Sequence, residues 1–330
     1  MAKILRYAGF AADDALPTTP APADWHVDIA SATLDSPSDA HLEYEGGFGR
    51  GRRVHRPGFY APSGNVVYAT DVKTILSVLR WTLGGYAFTA DSPHNLHELW
   101  GDEDRELPTF TTRLGKDLFE HVFVGCVVNS LQLEVSDAFA QITLDLVSAK
   151  DYKATLLGLS ALLLPEEYPL SFPDVQFFVG GVERSAATRN LSLTIANNAS
   201  AEQGRGVGSR YPNRIPGESR AVDMSLGLRF EDTTDLERFW GSATGVSDGG
   251  SDETDLRILM SAGDDGTVDI ELPRALYTDV GIQGSGRSEI EQSISVQAFT
   301  GPVTLEDGTT EVETDLYVRV SNDQPDQDPA

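Results

Sequence analysis

The chain has 330 residues, 40% of them hydrophobic, with 51 acidic against 25 basic residues and a formal net charge of -26. That length suffices for two ordinary domains or one large β domain with a real core, and the charge disfavours tight wrapping of nucleic acid, which needs a strongly basic face. The imbalance lies in kind as well as sum, with 30 Asp and 21 Glu against 20 Arg and 5 Lys. An Asp-rich, Lys-poor surface repels itself in dilute buffer and is screened at about 1 M salt, where the Debye length is roughly 3 Å. A halophilic source is the first expectation, and an acidic mesophilic protein the plainer one.

The opening stretch, MAKILRYAGF, has no apolar signal core, and the longest apolar run, ATLLGLSALLLP, is too short to span a bilayer. A protein made in the cytoplasm, with no membrane partner, is expected. Residues 11–40, rich in Pro, Ala and Asp, suit an extended arm better than a core. HLEYE then reads as a strand leading into GFGRGRRVHRPGFY, four arginines and a histidine among glycines. VVYATD reads as a strand, and an amphipathic helix starts near Asp71 and stops at Gly84.

The pair His94 and His97 in SPHNLHELW matches neither HExxH nor HxxEH, so a helix surface pair is the better reading. Further on, LQLEV and ITLDL alternate with a period of two across a turn and form a hairpin. In the second half the same alternation marks LSLTIANN, VDMSLGLRFED, TVDIEL and EIEQSISVQA. Another short helix starts near Asp232 and stops at Gly241. The last ten residues, SNDQPDQDPA, read as a tail.

The order strand, Gly/Arg-rich loop, proline-glycine, strand, helix occurs twice, with RPG at 56–58 and IPG at 215–217. The fold class is therefore mainly β. Two copies of one β domain, each with a short helix, are expected: 1–170 with its N-terminal arm, and 171–320, followed by a disordered tail at 321–330.

No catalytic constellation is present: there is no GxSxG elbow, all six histidines precede residue 122, and the sole cysteine, Cys126, excludes an intrachain disulfide or a CxxC site. GRGVG and GSGR lack the lysine and the placement of a phosphate loop, and SDGGSDETD lacks the order of a calcium loop. No enzyme activity, metal or cofactor is expected.

The organisation resembles that of the tail tube proteins of long-tailed, siphovirus-type viruses, here of a halophilic and so haloarchaeal host. The resemblance is carried by the strand, Gly/Arg loop and RPG leading to a helix ending WTLGG, by FTTRLGKDLFEHVFVGCVVNSLQLEV, and by AQITLDLVSA. It covers most of residues 42–147 and, more faintly, 190–300. It implies β-sandwich subunits whose strands close a ring-shaped β-barrel, rings stacked into a tube, and double-stranded DNA passing through during genome ejection. It also implies a virion tail protein, assembled in the host cytoplasm, that meets other tail proteins at the tube ends. Such rings commonly hold six domains, so three two-domain chains would complete a pseudo-sixfold ring, with hexameric rings as the alternative.

In this family a long loop between strands reaches the next ring. Arg50, Arg52, Arg53 and Arg56, with Arg205, Arg210 and Arg214 in the second half, are thus the expected inter-ring contacts through charge-assisted bonds. Gly46, Gly47, Gly49 and Gly51 would let the loop order on docking. The plainer reading is a solvated or DNA-touching loop. Polar-face residues Glu134, Asp145, Asp223, Asp269, Glu271, Glu289 and Glu291 are candidates to line the bore. The competing functions are another ring-forming tail component, either a tail terminator or a baseplate ring protein, and a carbohydrate-binding β-sandwich using Trp25, Trp81, Trp100 and Trp240.

Overall fold

A computed structural model describes residues 5–13, 16, 20–38, 40–44, 54–102, 106–165, 169–284 and 290–327. Its first half carries β1 (Ala8–Asp13), β2 (Trp25–Val27), β3 (Ile29–Ala32), β4 (His41–Tyr44), β5 (Val54–Pro57) and β6 (Ser63–Ala69) ahead of α1 (Val72–Leu83). After the helix come β7 (Gly84–Thr89), β8 (Asn95–Gly101), β9 (Thr109–Lys116), β10 (Phe119–Val135), β11 (Gln141–Val147) and β12 (Lys150–Ala154). The second half begins with β13 (Val175–Val179), β14 (Val182–Glu183), β15 (Thr188–Ala196) and β16 (Ala221–Arg229), and then α2 (Thr234–Trp240). It ends with β17 (Glu253–Ser261), β18 (Thr267–Gln283), β19 (Glu291–Phe299), β20 (Gly301–Thr304), β21 (Glu311–Thr314) and β22 (Tyr317–Asn322). The described residues are mainly β with two α-helices, as the alternating pattern requires.

Caps set both ends of α1 and the end of α2. The carboxylate of Asp71 accepts from the amides of Lys73 and Thr74 at 2.9 and 2.8 Å, and Gly84 closes α1. Ten of the twelve residues of α1 are buried, and it packs against β8, β10 and β22 inside the core. The shorter α2 ends at Gly241, whose φ of 66° suits glycine.

Two 17-residue strands organise the sheets. The first half of β10 pairs with β9 and β12, and its second half with β11 and β15. Likewise the first half of β18 pairs with β17 and β22, and its second half with β19. The correspondence reaches single residues. Each long strand carries a bulge at the same point, between Val128 and Ser130 in β10 and between Tyr277 and Asp279 in β18. β3 and β15 also bulge alike, between Ile29 and Ser31 and between Thr188 and Asn190.

Besides the pairing of β8 with β22, a second ladder joins the halves: Ser130 to Val135 of β10 lie opposite Ala196 to Leu191 of β15. It produces a continuous eight-stranded sheet in the order β3, β6, β11, β10, β15, β16, β19, β18. One face of this sheet packs on the core. Leu131, Leu133, Leu144, Leu193, Met224 and Val296 are all at most 2% exposed. Among the described residues the pairings branch without returning on themselves, so the strands of one chain do not close a barrel.

Four sequence expectations need correction. The described residues of 11–40 are not an extended arm apart from the core: the end of β1, β2 and β3 are paired, and Val27 and Leu34 are buried. The apolar residues are spaced among prolines, which hid short strands. HLEYE is not the counterpart of LSLTIANN: among the described residues, His41–Tyr44 pair only with β5 in a separate hairpin, while β3 holds the ladder position matching β15. SPHNLHELW is a strand, and His97 points inward, fully buried, with Nδ1 3.0 Å from the Tyr86 hydroxyl. Ser321 and Asn322, expected in the tail, belong to β22, and Asn322 donates to the carbonyl of Val72 at 3.1 Å.

Candidate functional surface

The outward face of the eight-stranded sheet is built by alternation: the residues between the core positions point away from the core. Residues directly opposite one another share a face, so the ladders define rows across the sheet. One row runs Val67, Thr143, Gln132, Thr194, Asp223, Gln297. The next runs Ala69, Gln141, Glu134, Ser192, Ser225, Ser295, Asp279. A third runs Asn65, Asp145, Ser130, Ala196, Ala221. These three rows hold no lysine or arginine, and most of their members are short hydroxyl or amide side chains. Polar contacts stay within the face: Gln132 donates to Ser192 Oγ at 2.9 Å across the joint, and Asn129 to Asp145 at 2.6 Å.

Such a surface offers a polyanion hydrogen-bonding groups without cations to hold it, and its carboxylates repel phosphate. Three expected bore residues, Glu134, Asp145 and Asp223, lie in these rows. Glu291 lies in the same sheet opposite Arg229, and Arg189 pairs with it at 2.6 Å. Asp269 and Glu271 do not belong to this face. Both sit in the first half of β18, between β17 and β22, where Asp269 is held by Arg257 and Arg319, each at 2.6 Å. Period-two alternation alone does not separate them, because the change of sheet occurs within one uninterrupted strand. Glu289 lies outside the described residues. Reading acidic residues first also missed the commoner members, Gln132, Thr194, Ser192 and Ser225, although their alternation with Leu and Met was visible.

The connections β3 to β6 and β15 to β16 leave the same end of this sheet and pack on each other. The rings of Tyr60 and Tyr211 meet edge to face at 5.9 Å, and the amide of Tyr60 donates to the carbonyl of Arg210 at 2.9 Å. Arg210 stands over Tyr60, Lys150 over Tyr211 and Arg205 over Phe59, at 4.8, 5.1 and 5.6 Å. Arg205 and Arg214 reach Glu202 and Glu106 at 3.8 Å, while Arg56 is exposed on β5 opposite Leu42. Arg50, Arg52 and Arg53, with the four glycines beside them, lie outside the described residues.

Behind this end, Asp151 accepts from Tyr60, Ser36 and His121 at 2.7, 2.5 and 2.8 Å. Burial raises its pKa, but these three bonds outweigh it and hold the carboxyl at about 2. The group locks the loop end to β12. Among the described residues no set of three His, Cys, Asp or Glu side chains is placed to bind a metal. Trp25 and Trp81 stack at 6.2 Å against the core and present no ring pair to a sugar.

In comparison with known proteins, the family described as phage tail tube protein matches residues 77–298. No curated protein matches the chain.

Proposed function

The chain belongs to the phage tail tube protein family, and on that premise we propose that its copies form rings that stack into the tube of a virion tail, a conduit for DNA during genome ejection. The observation that carries the reading is the eight-stranded sheet, in which two halves of matching register stand side by side with three polar rows, free of lysine and arginine, turned away from the core. In a ring, that face lines the bore.

On this reading the halves are two tandem tail-tube-type β domains, 1–170 and 171–320, and three chains make a pseudo-sixfold ring whose sheets close a barrel. The siphovirus type of tail and a halophilic host belong to the same proposal, the latter supported by the net charge of -26. The arginine loop and the cations at the loop end would take carboxylates of the next ring, so stacking is heterologous and open-ended. Assembly in the host cytoplasm and contact with other tail proteins at the tube ends complete it.

Electron microscopy of the purified chain in molar salt tests this. Long tubes with a central channel are expected. Isolated rings would place the chain with a tail terminator or baseplate ring instead.

A further inference from the structure

The histidine pair that the sequence singles out, His94 and His97, meets the segment that follows β22, each histidine at a different point. Residues 323–327 form no strand and lie back against β7 and β8, held by side chains. At the near end, His94 Nδ1 is 2.6 Å from Asp323 Oδ1, and Asn95 Nδ2 donates to the carbonyl of Gln324 at 2.8 Å. The amide of Gln324 turns back to Asn322 Oδ1 at 2.9 Å. At the far end, the amide of Gln327 donates to the Tyr86 hydroxyl at 2.9 Å. That hydroxyl is also 3.0 Å from His97 Nδ1, so the far end of this strap hangs on the pair Tyr86 and His97.

A proton acts differently on the two imidazoles. His94 is partly open to water, and its charge favours Asp323, whose side chain is 67% exposed; such a surface pair is weak and screened by salt. His97 is fully buried, and its Nε2 has no hydrogen-bond partner among the described residues. Tyr86 and Phe88 of β7, Val320 and Asn322 of β22, and Gln324 of the strap surround its ring. The charges that face it are Arg80 from α1, which disfavours a second cation, and Asp326 from the strap, which favours one. Burial outweighs that carboxylate and holds the imidazole below its ordinary 6.5. Of these neighbours only the strap lies outside the strand ladders and α1, so it is the part that yields when a charge forms beneath it.

We infer that residues 323–327 form an acid-released latch, closed while His97 is neutral and opened when a proton on its imidazole draws water in through the strap. The latch belongs to a single chain and stands apart from the ring reading. In the open state His97 binds protons with the ordinary affinity of an imidazole, and in the closed state more weakly. Closure is therefore favoured above pH 6.5 and weakens as pH falls below it. The opening constant should rise about tenfold between pH 7.5 and 5.5. His94 works in the other direction, and because its pair with Asp323 is exposed it offsets only a small part of this rise. Opening uncovers His97 and the Tyr86 hydroxyl and frees the strap.

Hydrogen exchange of the purified chain in molar salt, read by mass spectrometry and corrected for the intrinsic pH dependence of exchange, tests the latch. Peptides covering 323–327 should lose about tenfold in protection from pH 7.5 to 5.5, while those from β10 and β18 keep theirs. His97→Phe should hold the strap closed over the whole range. His94→Gln should leave the acid response in place and slightly enlarge it. Strap protection that does not change with pH in the wild type would overturn the latch, whether or not the variants fold. So would an acid response that survives in folded His97→Phe, or one that disappears in His94→Gln. Loss of protection in β10 and β18 together with the strap would overturn it too, because that is unfolding of the whole chain.

Discussion

Glu120 and Asp269 occupy the same ladder position in the two halves, and each is gripped by the arginine at the matching position of the neighbouring strand, Arg113 and Arg257. Glu120 lies opposite Ala154 on β12, and Asp269 opposite Arg319 on β22. The second half replaces a small residue with a second guanidinium, while the first adds the Tyr7 hydroxyl, which donates to Glu120 at 2.9 Å. Each long strand is thus anchored by an ion pair just ahead of the point where it changes sheets.

Removing one partner of a buried pair strands the other charge, which costs about 3–5 kcal/mol. Glu120→Gln, at a site only 1% exposed, should therefore lower stability by about 3 kcal/mol. Asp269→Asn should cost less, because the Arg257 side chain is 39% exposed and reaches water. Denaturant unfolding of both variants in molar salt checks the order; equal, negligible losses would show the pairs to be incidental.

Acid should weaken the fold in two windows. Burial holds the imidazoles of His26 and His97 below their ordinary 6.5, so the unfolded chain binds more protons than the folded one as pH falls through that value. Stability present above pH 6.5 is lost progressively below it. Asp151, held at about 2, adds a second loss between the ordinary carboxylate range and that value, because its stabilisation is present above the unfolded pKa and disappears as pH falls through the folded one. Thermal melts from pH 8 to 3 read the first window directly. His97→Phe should flatten part of it.

The arginine loop carries the stacking prediction. Arg52→Glu with Arg53→Glu should leave single rings intact and abolish long tubes, since each lost charged contact is worth about 1.5–3 kcal/mol and the loss repeats around the ring. Circular dichroism paired with electron microscopy separates this from misfolding. Long tubes in a folded double mutant would remove the loop from the stacking contact.

Salt should act on the same contacts. With 51 acidic against 25 basic residues, dilution from about 1 M to 0.1 M lengthens the screening distance from roughly 3 to 10 Å and brings self-repulsion into range. Light scattering across a salt series should fall as salt is lowered. A flat response would argue against a halophilic protein.

Much of this architecture could be read from residue order alone. The alternation of Val222, Met224, Leu226 and Leu228 against polar neighbours defines β16 with its faces, and Asp71 with Gly84 brackets α1. What could not be read depends on pairing between distant strands. Nothing local in TVDIELPRALYTDVGIQ tells where it leaves one sheet for another, so Asp269 and Asp279 look alike although only Asp279 faces outward beside Ser295. His97 was misplaced because its partners, Tyr86 and Val320, come from other strands. The role of β3 was hidden by its shortness: four residues carry too little periodicity to outweigh the surrounding prolines.

The claim that the joined sheet lines a bore is tested most directly by a cryo-electron microscopy map of the protein assembled in molar salt, at a resolution that traces strands. The account predicts stacked rings of three chains with Gln132, Thr194, Ser192 and Ser225 pointing into the channel. A map with that face turned outward, or with the channel walled by β1, β9 and β12, would contradict it.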